Sequence, residues 1–196
     1  MGKRLRRTGH HVMDEERGFT LLELLIVMAL LGLVLAFAVP AYQRTVATNA
    51  LLSESGNLYG DVLFARSEAI KRGQVVLVCP SSNGASCNGS GGNTNWATGW
   101  IVLAAANNSC GDTGGTVLRL QKAFSSGDSA TYSNGTNPAL CFNRMGYAPA
   151  ANVGMLTFNT ADNLAANRRC LALAAAGHPQ LLSSGQTDAT GQFSCP

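Results

Sequence analysis

From residue 19 to residue 39 the chain is apolar almost without interruption, and its one ionisable side chain there is Glu23. The run follows directly on a charged stretch that ends Arg17-Gly18. As a helix it is about 30 Å long at 1.5 Å per residue, enough to cross the hydrocarbon core of a bilayer. A carboxylate inside such a span costs roughly 2.5–3.5 kcal/mol on insertion scales, so Glu23 needs a reason to be there. Lys3, Arg4, Arg6, Arg7 and Arg17 outweigh Asp14, Glu15 and Glu16 in the leader. That excess is expected to hold the N-terminus on the cytoplasmic side. An ordinary secretory signal places its apolar region before a small-x-small cleavage site. Here the order is reversed, and a cut after Gly18 would release a hydrophilic leader while keeping the apolar helix. The plainer reading is a single-span anchor with Glu23 near the interface.

The ordered string Arg17-Gly18-Phe19-Thr20-Leu21-Leu22-Glu23 resembles the class III signal of type IV prepilins and of the pseudopilins of type II secretion. The resemblance implies cleavage by a prepilin peptidase between Gly18 and Phe19, and N-methylation of Phe19. It also implies that Glu23 neutralises the terminal amine of a neighbouring subunit during assembly, which would give the buried charge the partner it needs. Pro40 stands where pilins commonly carry a proline. The helix is expected to continue past it with a bend, two helices hinged at Pro40 being the alternative, because proline removes one helical hydrogen bond.

From 41 to 72 the pattern is amphipathic. Val46, Ala50, Leu51, Leu58, Val62, Leu63, Ala69 and Ile70 recur at roughly helical spacing, with charged residues between them. Lys71 and Arg72 suit a helix C-terminus, and Gly73 is a natural stop. Beyond Gly73 the texture changes to short apolar runs and Asn/Gly/Ser loops, 88–95 and 107–115 among them. Strands are expected at 74–79, 99–104, 116–121, 139–143, 154–159, 168–174 and 178–182. The expected fold is α+β: one long N-terminal helix, its first half transmembrane, packed on a mostly antiparallel β-sheet domain. The expected organisation is a leader at 1–18, the helix at 19–72 with 19–39 in the membrane or filament core, and a β-rich domain at 73–196.

All six cysteines, Cys79, Cys87, Cys110, Cys141, Cys170 and Cys195, follow the apolar run. An even number on the side that would face the periplasm argues for disulfides. Fifteen pairings are open to six cysteines. The pairing favoured here is Cys79–Cys87, Cys110–Cys141 and Cys170–Cys195: the first closes a short loop and the last staples the C-terminal end. Zinc is the rival use, but there is no Cys-x-x-Cys, and His10 and His11 fall in the leader, so no metal is expected.

A second resemblance lies in the other half of the chain. Ala65-Arg66-Ser67-Glu68-Ala69-Ile70, then Cys79-Pro80-Ser81-Ser82 with Cys87, then Trp96 and Gly99-Trp100-Ile101-Val102, then Phe142-Asn143-x-x-Gly146, are similar to the FimU/FimT-type minor pilins and H-type pseudopilins. The likeness implies a structural protein whose partners are the prepilin peptidase, other pilins or pseudopilins and the inner membrane. Taken by themselves, Arg66 and Glu68 read as a solvated helix face, Trp96 and Trp100 as core or loop anchors, and 142–146 as a strand-to-turn transition. Some FimT-like pilins bind DNA through Gly-Arg-x-Arg on a C-terminal β loop. The corresponding stretch here is Gly177-His178-Pro179-Gln180, which lacks both arginines and the phosphate affinity they supply. Arg168 and Arg169 would point to opposite faces of a strand. The formal charge of +3 falls to about +1 without the leader, so nucleic acid is not an expected partner. No nucleophile elbow, phosphate loop or paired-carboxylate motif is present, and neither catalysis nor a cofactor is expected. The Asn-x-Ser/Thr triplets at Asn88, Asn107 and Asn134 read as chance matches in an Asn/Ser-rich chain.

Overall fold

The computed structural model describes residues 18–88, 95–134 and 139–196. Residues 1–17 of the leader, most of the 88–95 loop, and part of the Asn134 triplet lie outside the described residues. The chain divides into two compact units, Met1–Tyr42 and Gln43–Pro196. Helix α1 (Leu21–Arg72) is unbroken and carries Pro40 in its interior, so the two-helix alternative is not what forms. It opens on Thr20, whose Oγ1 accepts the Glu23 backbone N–H at 3.2 Å, satisfying one of the orphan donors of the first turn. It closes at Gly73, where φ is +66° and the N–H reaches Ala69 O at 3.0 Å.

In the second unit the described residues form two four-stranded antiparallel sheets. The first contains β1 (Val76–Pro80), β2 (Gly99–Ala105), β3 (Gly115–Lys122) and β5 (Leu140–Phe142), in the order β3-β2-β1-β5. The second contains β4 (Ser129–Tyr132), β6 (Gly154–Asn159), β7 (Arg169–Leu173) and β8 (Pro179–Ser183), in the order β4-β6-β7-β8. The sequence predicts seven of these strands within a residue or two at most ends. It misses β4, whose four residues bury only Ala130 and Tyr132 and sit among Ser, Gly and Asn. It also anticipates a sheet rather than a pair.

The helix joins the sheets through Leu51, Ser55, Leu58, Val62, Ala65 and Ala69, a buried stripe at helical spacing. These pack with Val76, Val78, Trp100, Val102 and Phe142 from the first sheet and with Leu156, Phe158, Leu171 and Leu173 from the second. Each fully buried Leu or Phe contributes about 1.5–3 kcal/mol. Val46, Leu63 and Ile70, expected on that stripe, are instead exposed. Ser55 takes a buried position, its hydroxyl donating to Leu52 O at 3.1 Å.

Alternate residues of the first sheet point the other way. Leu77, Cys79, Ile101, Leu103 and Cys141 form a second cluster with Cys87, Cys110 and Val117. Burial on both faces explains why β1 and β2 read as continuous apolar runs. Cys170, Ala172, Leu182 and Cys195 form a third cluster behind the second sheet. The six cysteines pair as Cys79–Cys87, Cys110–Cys141 and Cys170–Cys195. The first two bridges therefore lie in the outer cluster of the first sheet, and the third in that of the second.

Candidate assembly site

Gly18 and Phe19 precede α1 outside regular secondary structure, and Phe19 is 83% exposed. Glu23 sits in the first turn of α1, where a carboxylate suits the positive end of the helix dipole. Every residue from 18 to 46 is exposed. Among the described residues, α1 is the helix long and apolar enough to cross a membrane. Among the described residues, 19–39 thus present an exposed apolar surface with one carboxylate near its start. Such a surface is stable only in lipid or against other apolar helices. Among the described residues, no group of three His, Cys, Asp or Glu side chains is placed to hold a metal.

The second unit corrects the reading of Arg66 and Glu68 as a solvated helix face. Glu68 is only 7% exposed and pairs with Arg72 at 2.5 Å and Lys71 at 3.4 Å. The hydrogen bond from Arg72 holds its carboxyl below the usual carboxylate range. Arg66 Nε donates to Gly146 O at 3.0 Å, and its Nη1 lies 3.1 Å from His178 Nδ1. Arginine can only donate, so Nδ1 accepts and the imidazole proton is on Nε2. Gly146 and Gly177 both have positive φ, +78° and +73°. A Cβ on Gly177 would lie 2.0 Å from Gly146 O. Two glycine turns therefore stack against each other under one arginine, and the 177–180 stretch is tied to α1.

Both tryptophans are fully buried. Trp100 Nε1 donates to Asp61 Oδ2 at 2.9 Å, and Arg119 Nη1 donates to Asp61 Oδ1 at 3.0 Å. The Arg119 guanidinium also lies 3.7 Å from the Phe64 ring centroid. Asp61 therefore links α1 to β2 and β3. Nothing in the sequence signals this link, because Asp61 is 39 residues from one partner and 58 from the other. Arg168 and Arg169 are half-buried and engaged in hydrogen bonds within the domain. Arg168 donates to Asn159 Oδ1 and Pro196 O, and Arg169 to Arg168 O.

A long apolar helix headed by Gly-Phe-Thr-Leu-Leu-Glu, joined to a disulfide-bridged pair of antiparallel sheets, is a pilin architecture. Residues 54–177 match the family described as type II transport protein GspH. The chain belongs to the GspH family. Residues 13–39 also match the prokaryotic N-terminal methylation motif, so this GspH-family chain is a type IV pilin-like minor pilin or pseudopilin. The fold is that of the type IV minor pilin FimU of Pseudomonas aeruginosa. One crystal form superposes with a TM-score of 0.54 over 68% of this chain and 89% of that one, at 19% identity. Fimbrial protein EcpC of Eikenella corrodens is 38% identical over 93 residues, which is 47% of this chain and 58% of EcpC. The type IV major alpha-pilin of Moraxella bovis is 44% identical over 46 residues, 29% of its length. The chain thus spans a little over half of one of these curated relatives and under a third of the other. These relatives are pilins, and the apolar helix with its motif fits a membrane-anchored pilin or pseudopilin.

Proposed function

We propose that this chain is a FimU-type minor pilin that takes part in priming and assembling a type IV pilus. The observation that carries the reading is the methylation motif at the head of an exposed apolar helix, on a domain with the FimU fold. In this reading a prepilin peptidase removes the leader at 1–18 by cutting between Gly18 and Phe19, and Phe19 becomes the methylated terminus. The helix at 19–72 keeps 19–39 in the inner membrane and later in the filament core, and 73–196 forms the outward domain. Glu23 enters that core paired with the terminal amine of a neighbouring pilin, since a desolvated carboxylate needs a cation. Pro40 leaves one carbonyl free in the helix and eases its fit among the others. No nucleic-acid partner is assigned: the 177–180 stretch carries no arginine, and His178 is engaged by Arg66.

A second reading, an H-type pseudopilin of type II secretion, draws on the family match over residues 54–177. Mass spectrometry of sheared surface pili and of the cell envelope separates the two. A peptide beginning at methylated Phe19 in the pilus fraction is expected. The same peptide confined to the envelope would favour the pseudopilin. An uncut Gly18–Phe19 bond in both fractions would refute processing and restore the plain anchor.

A further inference from the structure

Glu54 of α1 and Asp128 of the β3–β4 connection are near enough to interact through their charges and side chains. Glu54 Oε1 accepts the Ser126 hydroxyl at 3.0 Å, and Asp128 Oδ1 accepts the Ala161 backbone N–H at 3.2 Å. Their other oxygens, Glu54 Oε2 and Asp128 Oδ2, are both buried, and no donor reaches either. Asp128 as a whole is only 4% exposed. Among the described residues, no lysine or arginine pairs with either carboxyl. Two neighbouring carboxylates, one buried and one half-buried, without a cation would repel each other and be poorly solvated. One proton removes both problems, because an O–H···O bond between Oε2 and Oδ2 satisfies the two orphan oxygens at once.

We propose that Glu54 and Asp128 share one proton and form an acid-locked clasp between α1 and the β3–β4 connection. Glu54 lines a groove of about 260 Å³ with Ala50, Ser53, Gln121, Phe124 and Ser125, and the groove gives the proton a route to solvent. Burial pushes the Glu54 carboxyl from its ordinary 4.5 up to about 7; the Ser126 hydrogen bond opposes it, and the charge and hydrogen bonding of Asp128 add smaller upward effects. Asp128 is the ionisable group whose charge acts on it. Asp162, on the β6–β7 connection that also carries Ala161, is itself held by Thr160 Oγ1. Between pH 4.5 and 7 the folded chain holds a proton that the unfolded chain has lost, so stability falls as pH rises through this window. The clasp's contribution is full below 4.5 and gone above about 7.

Loss of the proton frees only part of the connection. Phe124 stays seated, edge-on to Trp100 and stacked on Phe158, with its N–H on Ala97 O. Residues 125–128 are therefore the segment released. A domain outside the cytoplasm meets the pH of its surroundings, and the clasp would make this face of α1 respond to it. The inference concerns the second unit alone and stands whichever assembly role the chain has.

The test compares urea unfolding of the full chain in detergent with that of Glu54→Gln between pH 5 and 8. An amide is neutral at every pH and can still donate to Asp128. The ratio of the two unfolding constants is expected to change about tenfold or more across this range, with the wild type losing ground and Gln flat. The figure is kept well below the full shift because Glu54 is partly open to the groove. Identical pH profiles would overturn the proposal. Should the Gln variant not fold, Asp128→Asn is measured in its place. Hydrogen exchange of the wild type supplies a second readout: the Ala161 amide, which donates to Asp128 Oδ1, should lose protection between pH 6 and 8 after correction for intrinsic rates. Unchanged protection there would overturn the clasp. Calcium at pH 8 is expected to restore nothing, and a calcium-dependent gain would replace the shared proton with a metal site.

Discussion

Replacing Asp61 with alanine tests whether one carboxylate on α1 holds both the helix and the first sheet. The substitution removes two acceptors. Arg119 is half exposed, so its ion pair contributes at most about 1 kcal/mol. Trp100 is fully buried, and its indole N–H would lose its only partner, a cost of about 1–3 kcal/mol. A groove lined by Gly56, Asn57, Gly60 and Asp61 runs beside the site, and water entering it can reach part of the way to the orphaned N–H. The expected total is therefore about 2 kcal/mol rather than 4. For a unit of this size that is a fall of about 4–8 °C in Tm. Asp61→Asn keeps an oxygen for Trp100 and gives up only the charge, so it should cost less than about 1 kcal/mol. The assay is thermal and urea unfolding of the full chain in detergent, followed by tryptophan fluorescence. The chain has two tryptophans and both are buried, so the signal reports on this core. If Ala and Asn unfold at the same midpoint, the indole bond contributes nothing and the reasoning fails.

Other outcomes follow from the same contacts. Gly177→Ala should destabilise by more than about 2 kcal/mol, because φ is +73° and the new Cβ meets Gly146 O. Gly73→Ala, with a similar φ but open space around it, should cost only about 1 kcal/mol, and equal losses in urea midpoints would contradict the stacked-turn geometry. Replacing Cys110 and Cys141 with serine should cost about 4 kcal/mol, against about 2.5 for Cys79 and Cys87, since the bridges span 31 and 8 residues. Oxidised-state unfolding of the two double variants checks the order, and a larger loss for the short loop would refute the chain-entropy reasoning. Glu23→Gln should leave cleavage at Gly18 intact while lowering recovery in sheared filaments. Wild-type recovery would show that the Glu23 charge is dispensable for assembly.

The C-terminal end of α1 was legible because its signals are local. Lys71, Arg72 and Gly73 mark the C-terminal end within a few residues, and the apolar run declares its surroundings by length alone; the cap at Thr20, which starts the helix at Leu21 rather than 19, was not read. Strands β1, β2 and β6 were legible for the same reason, being short β-rich runs bounded by turn residues. β4 was not, because its pairing with β6 comes from the partner strand rather than from its own four residues. The buried stripe on α1 was half legible. Periodicity found Leu51, Leu58, Val62 and Ala69, but only the position of the sheets decided that Leu63 and Ile70 face outward while Ser55 faces in.

By itself the sequence determined that this chain has a processed-looking junction, one membrane-length helix and a cysteine-bearing β-rich half. Those properties follow from neighbours along the chain, where apolar length, charge order and turn residues act over a few positions. Tertiary structure decided the rest. It chose three pairs from fifteen possible cysteine pairings by bringing cysteines onto the outer faces of two sheets. It turned Arg66 and Glu68 from solvent to contacts, and set Asp61 against Trp100 and Glu54 against Asp128. Asp61 meets Trp100 across 39 positions and Arg66 meets His178 across 112, while the setting of Glu68 depends on burial that no local pattern specifies. Solvation, charge and hydrogen bonding at such sites are properties of the packed fold, and they arise only when the helix and both sheets have closed around them.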